Sequence, residues 1–156
     1  FRPCPDFKAI RAARPLLRAG IDTSDGLFAC LDILAQLNRV SFDLHPPETL
    51  FHPIAVRFCR RAKLPLTTLA YGEHGDYQQI FAVRAADASH LKKWNRHFTL
   101  FAKVRKKVNA HRQIDTDGRM QPVRFDLARD LPRDSLDHYR TIIECAALEC
   151  KEKKFI

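Results

Sequence analysis

Gly20-Ile21-Asp22-Thr23-Ser24-Asp25-Gly26-Leu27 is the stretch on which the reading of this chain turns. Gly20 to Asp22 form a short extended piece that runs into the turn formers Thr23-Ser24-Asp25-Gly26. Apolar residues then recur at helical spacing, Leu27, Leu31 and Leu34 with Phe28, Ile33 and Leu37, which predicts a helix to Asn38. A strand end therefore delivers two carboxylates and a hydroxyl to the start of a helix. Helix amino termini present unpaired N–H groups and partial positive charge to an anion such as phosphate. Mg²⁺ takes one or two protein carboxylates, keeps waters and bridges to phosphates. Ser24 can hydrogen-bond the same phosphate, and Gly26 removes a side chain where a ligand comes close. A simpler use competes with this one. Ser and Asp are favoured helix caps, and Asp25 or Ser24 in that role needs no ligand. The sequence leaves both readings open.

The flanking segments place this turn in an α+β chain. Residues 6–19 look helical, with Pro15 as a kink or restart. Val40-Ser41-Phe42-Asp43-Leu44 alternates as a strand, and His45-Pro46-Pro47 ends it. A helix over 53–64 starts with Pro53 in its first turn. A short helix at 67–70 and a loop at 72–75 precede a strand over 77–83. Residues 86–96 are predicted helical, 98–104 and 108–114 extended. Asp115-Thr116-Asp117-Gly118 is a hairpin turn leading to a strand at 120–123. A last helix spans 135–149, with Ile142, Ile143, Ala146 and Leu148 on its apolar side. Helices and strands mix without strict alternation. The expected fold is a single compact α+β domain, a mixed and mostly antiparallel sheet with helices packed on it.

Bulk properties narrow the function classes. At 156 residues the chain is one domain by length and buries a core without staples. No run of about 18 apolar residues occurs, so no membrane span is expected. Five cysteines, an odd number with no C-x-x-C pair, exclude a disulfide framework or a structural zinc site as the organising element. Cys30 and Cys59 fall inside apolar helical patterns and read as buried thiols, as suits a reducing cytoplasm. The net charge of +9 draws anions, including nucleotides and nucleic acid. Lys92, Lys93, Arg96, Lys103, Arg105, Lys106 and Lys107 carry much of it. A solvated basic face accounts for this cluster, and nucleic acid is not the expected partner. Walker A and G-x-G-x-x-G motifs are both absent, and the seven histidines form no cluster.

Three motifs carry a family resemblance. Ile21-Asp22-Thr23-Ser24-Asp25-Gly26-Leu27 resembles the D-x-S-D-G-L signature of thiamine-monophosphate kinases. Those enzymes share a superfamily with aminoimidazole ribonucleotide synthetase, selenophosphate synthetase and a hydrogenase-maturation protein. His74-Gly75-Asp76-Tyr77-Gln78-Gln79-Ile80-Phe81 is similar to the family's G-E-D-Y-E-L-L-F stretch. Asp137-His138-Tyr139 resembles the D-H-F triplet of its last helix. The resemblance implies the fold of the carboxy-terminal domain of aminoimidazole ribonucleotide synthetase across residues 1–156, with the amino-terminal ATP-binding domain absent. It implies that Asp22 and Asp25 bind Mg²⁺ and that Ser24 contacts ATP. Family substrate contacts map to Asp76 and Tyr139. The family glutamate aligns with Gly75, and Glu73, two residues upstream, is the candidate to replace it. Read without the resemblance, Asp76 can fix its turn by an Asx-type bond, and Tyr139 can be a core residue beside Ile142 and Ile143.

The implied activity is Mg²⁺-dependent phosphotransfer from ATP to a phosphorylated small molecule, thiamine phosphate in the family. It belongs to a complete cytoplasmic enzyme, expected as a homodimer. Two carboxylates and one serine are too few for turnover, so this chain alone is expected to be inactive. The alternative is a stand-alone or degenerate superfamily domain that binds a phosphorylated small molecule or a protein partner without catalysis.

Overall fold

The computed structural model describes residues 6–45, 47–64, 66–71, 78–94, 96–106, 111–114, 120–123 and 140. The chain opens with helix α1 (Phe7–Ala13), capped by Asp6, whose Oδ1 accepts from the Ala9 N–H at 2.9 Å. This helix is shorter than the apolar spacing predicts. Pro15 lies in a single 3-10 turn, Arg14–Leu16, and the chain then extends as strand β1 (Leu17–Asp22). Leu17, Ala19 and Ile21 are half-buried while Arg18, Gly20 and Asp22 are exposed. That period of two overrode the helical reading of 17–19.

Helix α2 (Leu27–Asn38) follows the turn and matches its predicted bounds. Phe28, Cys30, Leu31 and Ala35 are buried, with Leu31 1% exposed, and Leu27 and Leu34 pack at the edge of the same cluster. Leu37 is 77% exposed, so the apolar stripe is narrower than the spacing implied. Arg39 closes the helix in the left-handed conformation, φ 52°.

Strand β2 (Val40–Leu44) is buried from Ser41 to Leu44 because it lies inside a sheet. It pairs antiparallel with β4 (Ala102–Lys106) on one side and parallel with β5 (His111–Ile114) on the other. β6 (Met120–Val123) adds antiparallel to β5, giving the predicted hairpin and the order β4-β2-β5-β6. β6 is an edge strand among the described residues, where the missing N–H of Pro122 is tolerated. The strand predicted at 98–104 begins only at Ala102. Asp43, on β2, meets Arg105 across the sheet at 2.8 Å.

A second ladder pairs β1 antiparallel with β3 (Gln79–Val83), placing Asp22 opposite Gln79 and Gly20 opposite Phe81. A Cβ on Gly20 would stand 2.8 Å from the Phe81 ring, so only glycine fits there. Helix α3 (Pro53–Ala62) has Pro53 in its first turn and buries Val56 and Cys59. Helix α4 (Thr68–Tyr71) sets Tyr71 edge-on to Phe28, with ring centroids 4.7 Å apart. Residues 85–94 wind as a 3-10 helix rather than the α-helix predicted over 86–96. Ala85-Ala86-Asp87-Ala88-Ser89 offers no large side chain to anchor an α-helical face. The buried residue there is Asp87, held by Arg84 at 2.7 Å.

Among the described residues three strand pairings are antiparallel and one is parallel. The fold is therefore the expected α+β domain, with α2 packed on mixed, mostly antiparallel sheet and α4 packed against α2. The loop at 72–75, the turn at 115–118 and the helix at 135–149 lie outside the described residues, Arg140 excepted. Among the described residues no helix is long and apolar enough to cross a membrane.

Candidate functional site

The acidic turn is built where β1 stops and α2 starts. Thr23 ends the pairing with β3: its N–H donates to the Gln78 carbonyl at 2.9 Å and its hydroxyl to the same oxygen at 3.3 Å. Gly26 N–H then donates to the Thr23 carbonyl at 3.0 Å, closing the turn over Ser24 and Asp25. Gly26 itself is buried, with φ 92° and ψ 157°. That conformation is essentially confined to glycine. The turn therefore needs Gly26 for its backbone, whether or not a ligand approaches.

Cys30 sits one turn into α2, and its Sγ–H donates to the Asp22 carbonyl at 3.0 Å. The strand end and the helix are thus pinned together by a buried side chain. The predicted burial of Cys30 holds, while its bond to Asp22 was not foreseen.

The three predicted residues of this turn lie between the end of β1 and the start of α2. Asp22 is exposed, and Ser24 and Asp25 are half-buried. The capping alternative is not what the structure adopts. Gly26 occupies the N-cap position and makes no side-chain cap bond. Among the described residues, the side chains of Asp22, Ser24 and Asp25 make no hydrogen bond or ion pair. Two carboxylates and a hydroxyl are left at a helix amino terminus with no structural task. The donor set suits Mg²⁺, which needs hard oxygen ligands and draws the rest of its shell from water and phosphate. No cluster of three or more His, Cys, Asp or Glu forms among the described residues.

The other predicted site residues, Glu73, Asp76 and Tyr139, lie outside the described residues. Gln78 follows Asp76 by two positions, so the Thr23–Gln78 bonds join the first two motifs of the resemblance across 55 residues of sequence. Sequence reasoning missed Thr23 and Gln78 as the joint. The available signal was a β-branched hydroxyl residue at a strand end.

No protein-family profile matches the sequence. No curated protein sequence matches it either. Among solved structures the chain is similar to Escherichia coli HypE, described as a hydrogenase maturation protein, at 18% identity and a TM-score of 0.56. The alignment covers 85% of this chain and 41% of HypE, so the chain spans less than half of that protein. At that identity the likeness shows the fold alone.

Proposed function

We propose that this chain is the carboxy-terminal part of an ATP-using, Mg²⁺-dependent phosphotransferase of the aminoimidazole ribonucleotide synthetase-related superfamily. Within it, the sequence resemblance favours a thiamine-monophosphate kinase-like enzyme of the cytoplasm. The observation that carries the reading is the uncommitted trio Asp22, Ser24 and Asp25 at the head of α2. Asp22 and Asp25 would hold the cation and Ser24 would donate to a phosphate oxygen. When bound, Mg²⁺ neutralises charge on the transferred phosphoryl group. Glu73, Asp76 and Tyr139 are assigned to the substrate, a phosphorylated small molecule. The remaining acids and the nucleotide cradle come from an amino-terminal domain or a second subunit of a homodimer.

The test is calorimetric titration of Mg²⁺ with a non-hydrolysable ATP analogue into the complete protein and its Asp22→Asn variant. Asn keeps the size and loses the charge. Affinity should fall on the order of tenfold or more, since even outer-shell partners of a metal site carry that much. Equal binding by the two proteins would remove the metal site.

Gly75 favours a second reading, because the family has a substrate-contacting glutamate there. Under it the chain is a superfamily domain that binds a phosphorylated small molecule or a protein without catalysis. Phosphotransfer by the complete protein decides between the two.

A further inference from the structure

A groove of about 540 Å³ is lined by residues of α1, β1 and β3 and by none of the acidic turn. That volume falls within the roughly 300–1,000 Å³ typical of small-ligand sites. Its apolar lining comes from Ile10, Leu17 and Phe81, with Phe7 at its edge. Phe7 is 64% exposed, a large aromatic surface left facing water. The fixed part of the wall is Phe81, whose ring lies against Gly20 and edge-on to Phe98.

The rim is basic. Arg11, Arg14 and Arg18 line the groove, and among the described residues no carboxylate does. Of the acids near it along the chain, Asp22, two residues beyond Gly20, makes no ion pair among the described residues, while Asp6 and Asp87 are engaged. Asp6 is held by the Ala9 N–H and by His97 at 2.6 Å. Asp87 is held by Arg84 at 2.7 Å, with Arg18 at 3.9 Å. Arg11 and Arg14 make no ion pair among the described residues. Two uncompensated guanidinium groups therefore stand over an apolar floor.

We propose that this groove binds a small organic anion with an apolar body, a carboxylate or phosphate carried on an aryl or acyl group. A neutral apolar molecule would leave the arginines unused, and an inorganic anion would leave the floor wet. Guanidinium forks match carboxylate and phosphate oxygens two at a time, which selects the head group. Burial of the body against Ile10, Leu17 and Phe81 supplies the remainder of the affinity. This assignment is independent of the metal reading of Asp22 and Asp25.

The probe is 8-anilinonaphthalene-1-sulfonate, compared with N-phenyl-1-naphthylamine, the same body without the sulfonate. Fluorescence titration should show one saturable site per chain that prefers the anion. Replacing both exposed arginines, Arg11→Gln with Arg14→Gln, should weaken the anion at least about threefold and leave the neutral dye unchanged. Phe7→Ser should weaken both dyes. Displacement by phenyl phosphate or by octanoate would support the proposal and name the head group. Equal binding of the two dyes, indifference to the arginine changes, or no saturable site would overturn it. Displacement by poly-glutamate but by neither small anion would give the groove to an acidic polypeptide and overturn it equally.

Discussion

Asp87 is a buried carboxylate in a chain of net charge +9, and its neighbours are guanidinium groups. The hydrogen bond from Arg84 is the largest influence on it, and with the charges of Arg84 and Arg18 it holds the carboxyl below its ordinary value of 3.8. A carboxyl depressed in the folded state stabilises the fold fully above its unfolded pKa. That contribution disappears as pH falls through the lower folded value. Acid unfolding followed by circular dichroism should therefore show stability falling as pH drops below about 4. Asp87→Asn should flatten that part of the profile and lower stability at neutral pH. A variant with the wild-type profile would contradict the assignment. Cys59 behaves in the opposite sense. Burial raises its thiol pKa, so the reactive thiolate is scarce. Cys59 should resist alkylation in the native protein and react on unfolding, which mass spectrometry of the labelled peptide would report. At this scale the sequence showed the residue types of the acidic turn but not their engagements. That Asp25 is left unbonded follows from Gly26 taking the N-cap position, a consequence of one backbone conformation.

Helix α2 connects the turn to the core, and Leu31 is its most deeply placed large residue. Leu31→Ala should cost roughly 2–5 kcal/mol, the usual range for a buried leucine truncated next to well-packed neighbours. Urea unfolding would measure it, and a loss under about 1 kcal/mol would be incompatible with such burial. The bounds of α2 and β2 were legible from their apolar periods and flanking turn residues, and those of β6 from the turn signal Asp115-Thr116-Asp117-Gly118 before it. Residues 14–19 were not. Leu16 and Leu17 are apolar at positions that suit either period, and only pairing with β3 decides for the strand. The 3-10 helix at 85–94 was hidden for a related reason. Its small residues favour no face, and the ion pairs of Asp87 fix its winding from outside the segment.

For the whole molecule, the charge of +9 makes weak polyanion binding unavoidable. Lys103 and Lys106 are exposed on β4, an edge strand among the described residues, where cations also discourage strand-to-strand association. Random-sequence duplex DNA should bind with a dissociation constant no tighter than about 1 μM near physiological salt, and binding should weaken steeply as salt rises. Fluorescence anisotropy would check this, and tight binding selective for one sequence would point to a nucleic-acid function instead. The fold class was readable from the mixture of periods along the chain. The parallel pairing of β2 with β5 was not, because nothing local in either strand encodes a partner so far along the chain.

The bonds from Thr23 to Gln78 have a further consequence in time. The turn that carries Asp22 and Asp25 is finished by a carbonyl 55 residues downstream. On a ribosome elongating at about 5–20 residues per second, the acidic motif emerges roughly 3–11 s before the residue that completes it. During that interval α2 can wind and bury little, while β1 remains an open strand edge awaiting β3. High sequence separation also slows the search in a released chain, because closure entropy must be met before the contact forms. The segment with the most chemical promise therefore acquires its geometry only once β3 has emerged, and newly made chains pass through a stage in which that edge is open to other strands.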